Sequence, residues 1–237
     1  MQLFYSSLIN ESNTSFVFDK EESKHIIKVL RKKDGDILFV TNGLGDLFKT
    51  EISLASDSKC TVAILSKEKK EATQYPLHLA VAPTKMNDRY EWFLEKATEI
   101  GIQEITPIIC DRSERKVINK ERFEKIILTA MKQCNQFYLP KLNEAITFKN
   151  FIKQQHEGQL LIAHCEETDK KSLKSVLNTN TKTTILIGPE GDFSEKEIEL
   201  ALANNFIPVT LGNTRLRTGS TWDASSRSVS YLATVWT

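Results

Sequence analysis

The sequence predicts an α/β protein in two parts, a small β-barrel domain followed by a larger domain built on a parallel sheet. Three observations carry that expectation. The first seventy residues consist mainly of strand-like runs separated by turn residues. From Leu77 onward, apolar strand runs alternate with amphipathic helix patterns, as in a parallel sheet covered on both faces. Between the two regions lies Ser66–Pro76, SKEKKEATQYP, which is charged, polar and closed by a proline, and so reads as a linker. The expected boundaries are 1–70 for the barrel and 71–237 for the second domain.

In the first domain, Asp19–Arg31 reads as a helix capped by Asp19, with Glu22 at the third position and Ile26, Ile27 and Leu30 as the buried stripe. Strands are expected at Asp36–Thr41, Asp46–Leu54 and Cys60–Lys67, the first two joined as a hairpin through Asn42-Gly43-Leu44-Gly45-Asp46. The second domain begins with a strand at Leu77–Pro83 and a helix at Asp88–Ile100. That helix buries Trp92 or Phe93, Ala97 and Ile100, and Gly101 stops it. A strand at Ile105–Cys110 and a helix at Glu121–Cys134 follow, the helix burying Phe123, Ile126, Ile127, Ala130 and Met131. Strands at Leu160–Ala163, Thr183–Ile187 and Ile207–Leu211 complete the pattern, with helices at Lys171–Leu177 and Glu195–Asn204.

Composition excludes several classes of function. With 40% apolar and 27% charged residues the chain is of ordinary globular character, and it has no apolar run near the roughly eighteen residues a membrane span needs. The start, MQLFYSSLINESN, lacks the basic and apolar regions of a signal peptide. Cys60, Cys110, Cys134 and Cys165 are scattered without metal-ligand spacing, so free thiols in a reducing cytoplasm are expected and no metal. Net charge is only +1, but it is uneven. Lys20–Lys33 holds six Lys or Arg against two Glu, and Arg112–Lys125 holds six against three Glu. Such runs are usually solvated faces; two in one chain favour a polyanionic partner.

The most informative stretch is Thr183–Ser194, TTILIGPEGDFS. A β-branched run through Ile187 meets Gly188-Pro189-Glu190-Gly191, and a helix starts at once, with Ser194 three residues before Glu197 as in a capping box. Strand, glycine turn and helix in that order form a ligand-binding rim of open α/β sheets. The turn lacks Gly-Lys-Ser/Thr and carries a carboxylate, which suits a ligand with a positive centre better than a phosphate. Two other strand ends resemble it: Ala163-His164-Cys165-Glu166, and Leu211-Gly212 leading to Arg215-Leu216-Arg217. Adjacent parallel strands would put all three turns on one rim. His164 could serve the site or the structure equally, whereas His78 reads as a satisfied or exposed imidazole within a strand rather than a catalyst. Arg89, in the first turn of its helix, opposes the helix dipole and so is expected to face an external anion.

Taken together, these residues resemble the ribosomal RNA small-subunit methyltransferase E family of the SPOUT class. The resemblance runs through Ser23–Arg31 with Asp34-Gly35-Asp36, Arg89–Gly101, Arg112-Ser113-Glu114 and Lys132-Gln133-Cys134. It continues in Gly188-Pro189-Glu190-Gly191 and in Leu211-Gly212 with Arg215-Leu216-Arg217-Thr218. It implies a PUA-like RNA-binding barrel and a C-terminal domain ending in a deep trefoil knot. It also implies a cytoplasmic homodimer that methylates N3 of one uridine in 16S rRNA from S-adenosylmethionine. On that basis His164, Ile187, Gly188, Pro189, Glu190, Gly191, Leu211, Gly212 and Leu216 would hold the cofactor. Glu190 tolerates its sulfonium cation, and Arg217 would stabilise the uridine anion. Lys24, His25, Lys28, Arg31, Arg89 and Arg112 would contact RNA.

After Arg217-Thr218 the chain departs from the family pattern Glu-Thr-Ala-Gly, reading Gly219-Ser220-Thr221-Trp222-Asp223 with no clean apolar stripe before Val229. A shifted reading frame is the hypothesis this departure suggests, since it allows Glu at 219 and glycine at 222; an unshifted gene encoding these residues would sink the idea. Two other readings stay open: a SPOUT 2′-O-methyltransferase acting on another RNA, and a ribosome-assembly factor that binds RNA without transferring methyl.

Overall fold

The computed structural model describes residues 1–71, 76–166, 170–178 and 181–210. Two compact units emerge, one within Met1–Ala72 and Thr129–Leu139, the other within Thr73–Leu128 and Pro140–Thr237.

The first unit contains β1 (Leu3–Tyr5), β2 (Ser15–Val17), α1 (Lys20–Lys24), β3 (Ile37–Thr41), β4 (Asp46–Leu54) and β5 (Thr61–Lys69). Its ladder runs β1-β3-β4-β5-β2, with β1 parallel to β3 and the other pairs antiparallel. The β3–β4 hairpin forms where the sequence places it. Register shifts between Lys49 and Thr50 and between Ile52 and Leu54 bend the long β4–β5 pair. Phe4, Phe18, Ile26, Val40, Phe48 and Val62 are among the side chains filling its core.

Three local expectations change here. The helix over Asp19–Arg31 is not uniform: Asp19 caps α1 by accepting the Glu22 N–H at 2.8 Å, but His25–Val29 forms a wider π turn in which Leu30 N–H reaches His25 O. The turn closes through Arg31 in the left-handed region at φ 55°, and of the expected stripe only Ile26 is fully buried. The linker starts later than Ser66, because the nine-residue β4 supplies ladder partners as far as Lys69 and charge on outward positions does not end a paired strand. The short strands β1 and β2 also join the sheet; three-residue runs are too brief to show periodicity.

The second unit adds β6 (Leu77–Val81), α2 (Asn87–Ile100), β7 (Glu104–Ile109), α3 (Lys120–Gln133), β8 (Lys141–Leu142), β9 (Ile146–Thr147), α4 (Phe148–Ile152), β10 (Gln159–Ala163), β11 (Lys171–Ser172), α5 (Leu173–Val176), β12 (Thr183–Ile187), α6 (Glu195–Ala203) and β13 (Ile207–Thr210). The end of α3 and the residues after it belong to the first unit. There Phe137 O accepts from Gly45 N–H and Thr41 Oγ1, and Tyr138 packs so close to Gly45 that a Cβ there would lie 2.3 Å from its ring. Gly45 also has φ 93°, so only glycine fits both demands.

All pairs of the second sheet are parallel, in the order β11-β13-β10-β12-β6-β7-β8, with β9 also pairing β7. Every residue of β6 and β12 is buried, so both faces of the central strands are covered. Ala80, Ile108, Ile162 and Leu186 pack on one face against Phe148, Phe151 and Ile152 of α4 and Ile198 and Ala201 of α6. Of α2, Tyr90, Phe93, Leu94, Ala97 and Thr98 are buried, while Trp92 and Ile100 of the expected stripe are only partly so. Gly101 ends that helix in the left-handed conformation at φ 89°. The expected helix over Lys171–Leu177 shrinks to α5, because Lys171 and Ser172 pair with Val209 and Thr210 instead.

Candidate functional site

The C-terminal ends of the central strands form one rim. Ala163, Ile187 and Val81 pair across β10, β12 and β6, and Ala163 also pairs with Val209 of β13. The strand ends picked out in the sequence are therefore neighbours as far as β13, which lies on the other side of β10 from β12. Leu211, Gly212, Leu216 and Arg217, with the expected knot and the irregular tail of the sequence, fall outside the described residues.

The turn after β12 is built tightly. A Cβ on Gly188 would sit 3.1 Å from the ring of Phe193, which is fully buried and packs against Phe148. Asp192 N–H bonds to Pro189 O at 2.9 Å, with Asp192 in the left-handed region at φ 61°. Ser194 and Glu197 then form the capping box that starts α6. Glu197 is 95% buried in consequence (5% exposed) and also accepts the Asp111 N–H at 2.9 Å, tying the cap to the end of β7.

Neighbouring loops brace the same turn. Arg112 Nη1 donates to Gly191 O at 3.0 Å and Phe193 O at 3.1 Å. Asp192 Oδ2 accepts the Cys165 N–H from the end of β10 at 2.6 Å. Lys85 N–H, beyond β6, donates to Glu190 Oε1 at 2.8 Å, and Arg115 holds Lys85 O at 2.7 Å. Four strand ends thus share one hydrogen-bonded frame. Asp111, Arg115, Asp192 and Glu197 are the members that sequence reasoning missed; only the Ser194–Glu197 spacing signalled any of them.

Within this braced frame some buried polar atoms stay unpartnered. Among the described residues, Glu190 Oε2 and both ring nitrogens of His164 have no hydrogen-bond partner. His164 is 6% exposed; burial, aided by the charge of Lys170 and opposed by Asp192, moves its pKa down, so the ring is neutral near pH 7. Native proteins rarely leave such groups unpaired, because each costs on the order of 1–3 kcal/mol. Their placement at the carboxyl ends of parallel strands fits a polar ligand with a cationic centre near Glu190. No cluster of His, Cys, Asp and Glu suited to a metal ion occurs among the described residues.

His78, by contrast, is satisfied: Nε2 lies 2.7 Å from Thr106 Oγ1. Of the residues expected to meet RNA, Lys24, Lys28 and Arg31 are exposed on the first unit and His25 is partly so. Lys28 pairs with Asp57 at 2.7 Å; its hydrogen bond and charge, aided by the charges of Lys20 and Lys24, hold the Asp57 carboxyl below its ordinary range. Arg89 lies partly buried in the first turn of α2, and Arg112 serves the glycine turn as described.

Residues 70–225 match the family model of an RNA methyltransferase domain, and residues 18–65 that of an RNA methyltransferase PUA domain. Ribosomal RNA small subunit methyltransferase E of Rickettsia conorii is 30% identical over 91% of this chain and 89% of its own. A probable rRNA-methyltransferase from Porphyromonas gingivalis has a crystal structure matching 99% of this chain and 98% of its own, at a TM-score of 0.87 and 35% identity. A putative methyltransferase from Legionella pneumophila, solved with bound cofactor SAM, matches 98% and 96% at a TM-score of 0.83 and 28% identity. With both of its domains matched and a relative of this identity along nearly its whole length, the chain belongs to the ribosomal RNA small subunit methyltransferase E family.

Proposed function

We propose that this protein transfers a methyl group from S-adenosylmethionine to N3 of one uridine in 16S rRNA. The observation that carries the reading is the rim at Ala163, Ile187 and Val81, braced from the ends of β6, β7 and β10 yet leaving Glu190 Oε2 and the His164 nitrogens without a hydrogen-bond partner among the described residues. The unpaired carboxylate oxygen and neutral imidazole suit a cofactor that is cationic at sulfur and polar elsewhere. When bound, that cofactor supplies an activated methyl group.

The chain's own contribution is placement and charge. Gly188, Pro189 and Gly191 with Ile187 would present backbone to the cofactor, and Lys85 N–H holds the Glu190 carboxylate, which would supply a negative charge to its cationic centre. Holding two reactants in line is worth several kcal/mol, and a braced turn performs that task without ordering at the moment of reaction. Uracil N3 carries a proton that must pass to a base, either a side chain or water, before the nitrogen acts as nucleophile, and a nearby cation favours that loss by stabilising the anion; Arg217 is the residue assigned to the anion. Lys24, His25, Lys28, Arg31 and Arg89 supply affinity for the rRNA backbone. Partnership with the small ribosomal subunit, assembly as a homodimer and residence in the cytoplasm belong to the same reading.

The test is incubation of the purified protein with methyl-labelled S-adenosylmethionine and small ribosomal subunits lacking the modification, followed by nucleoside analysis. Label in 3-methyluridine supports the proposal. Label in a 2′-O-methylated nucleoside replaces it with the ribose reading, and absence of label with a binding-only one.

A further inference from the structure

We infer that Asp192 is a positioning residue for the cofactor: its side chain fixes the glycine turn to the end of β10 and so holds Glu190 and His164 in one arrangement. The inference rests on the reading of the rim as the S-adenosylmethionine site and adds a residue that touches neither the reacting atoms nor RNA.

Asp192 adopts φ 61°, a left-handed conformation that glycine enters freely and that a residue with a side chain enters at a cost. The carboxylate offsets that cost with two bonds in different directions. Oδ1 accepts the N–H of Phe193 at 2.8 Å, which sets the exit from the turn toward α6. Oδ2 accepts the N–H of Cys165 at 2.6 Å, the residue next to His164 and 27 positions away in sequence. A carboxylate accepting backbone N–H groups makes stronger bonds than a neutral acceptor.

The peptides on either side of Asp192 are held as well, since Arg112 Nη1 bonds to Gly191 O and Phe193 O. With both neighbours pinned, the Asp192 carboxylate has little freedom, and its reach to Cys165 becomes a rigid tie. Two side chains of this rim that have buried atoms without a hydrogen-bond partner among the described residues flank that tie: Glu190 lies two residues before Asp192, and His164 one before Cys165. Without it, the two loops would be ordered at the expense of binding energy each time the cofactor enters.

The test compares wild type, Asp192→Asn and Asp192→Gly by titration with S-adenosylmethionine, by thermal melting, and by KM and kcat on small subunits. Glycine suits the left-handed backbone, so that variant keeps the turn while deleting both bonds. Asparagine keeps the shape but turns an NH2 toward one of the two N–H donors. Loss of a charge-assisted tie predicts about tenfold weaker cofactor binding in both variants. KM for S-adenosylmethionine should rise in step, with kcat at saturation, RNA affinity and melting temperature close to wild type. Unchanged cofactor affinity in Asp192→Gly would overturn the inference, as would a parallel loss of RNA affinity and thermal stability, which marks a purely structural role. If wild type itself binds no S-adenosylmethionine, the cofactor reading falls and this inference falls with it.

Discussion

His78 and His164 are both 6% exposed, and both stand on the parallel sheet, yet they meet opposite fates at its two ends. At the amino end, His78 lies 2.7 Å from Thr106 Oγ1, Asn143 donates to Thr106 and Glu104, and Lys182 pairs with Glu104 at 3.1 Å. At the carboxyl end, His164 has no hydrogen-bond partner at either nitrogen among the described residues, although the loops around it are heavily bonded to one another. A buried polar cluster that is fully paired serves the fold. A braced frame around unpaired groups sacrifices stability and is explained by a ligand that completes it.

Breaking the amino-end cluster should give the largest effect on the fold. His78→Ala removes a buried ring packed on Phe151 and leaves its polar neighbours short of a partner, which should cost about 2–4 kcal/mol in chemical denaturation. Affinity for S-adenosylmethionine should stay at the wild-type value; if it falls, the two ends are not separate in function.

The converse substitutions sharpen the contrast. Glu190→Gln removes a negative charge while keeping an acceptor for Lys85 N–H, and His164→Leu removes buried polarity, so melting temperature should hold in the first and hold or rise in the second while cofactor binding weakens about tenfold in each, measured by calorimetric titration. A variant that loses stability and keeps affinity would assign that residue to the fold.

Acid should act first through the paired end. Burial lowers the His78 pKa from 6.5 to about 4 against the pull of Glu104. Burial alone would raise Glu104, but the Asn143 hydrogen bond, His78 and Lys182 outweigh it and lower the carboxyl from 4.5 to about 2. In both cases the unfolded chain binds the proton more readily, so stability rises with pH. It should therefore fall as pH drops from 6.5 to 4 through His78, and from 4.5 to 2 through Glu104. Thermal melts of wild type and His78→Ala across that range check the first window, which the variant should lose.

The smallest expected effect lies on the first unit. Lys24, Lys28 and Arg31 are exposed and act on RNA through screened charge, so each alanine substitution should weaken binding only a few-fold and lower the salt slope by about one. A much larger loss at one of them would mark a specific contact.

Much of this was legible in the chain. The rim could be anticipated because Thr183–Ile187 is a pure apolar strand cut off by glycine and proline, and the Ser194–Glu197 spacing announces the helix behind it. Long strands and the Gly101 stop were likewise readable from local chemistry. The bracing was not, because Asp192 to Cys165, Arg112 to Gly191 and Glu197 to Asp111 join residues 27 to 86 positions apart, and nothing local encodes such a pairing. The capture of Phe137–Leu139 by the hairpin at Gly43–Gly45 escaped for the same reason, and the π turn at His25–Val29 because its register depends on packing around Ile26.

The most direct test of the central claim is amide hydrogen exchange with and without S-adenosylmethionine. The account predicts slowed exchange on binding at Lys85, at His164–Glu166 and at Gly188–Phe193, with the amides around His78 and the Lys24–Arg31 region unchanged. Protection that leaves those three loops untouched and appears on the first unit instead would contradict it.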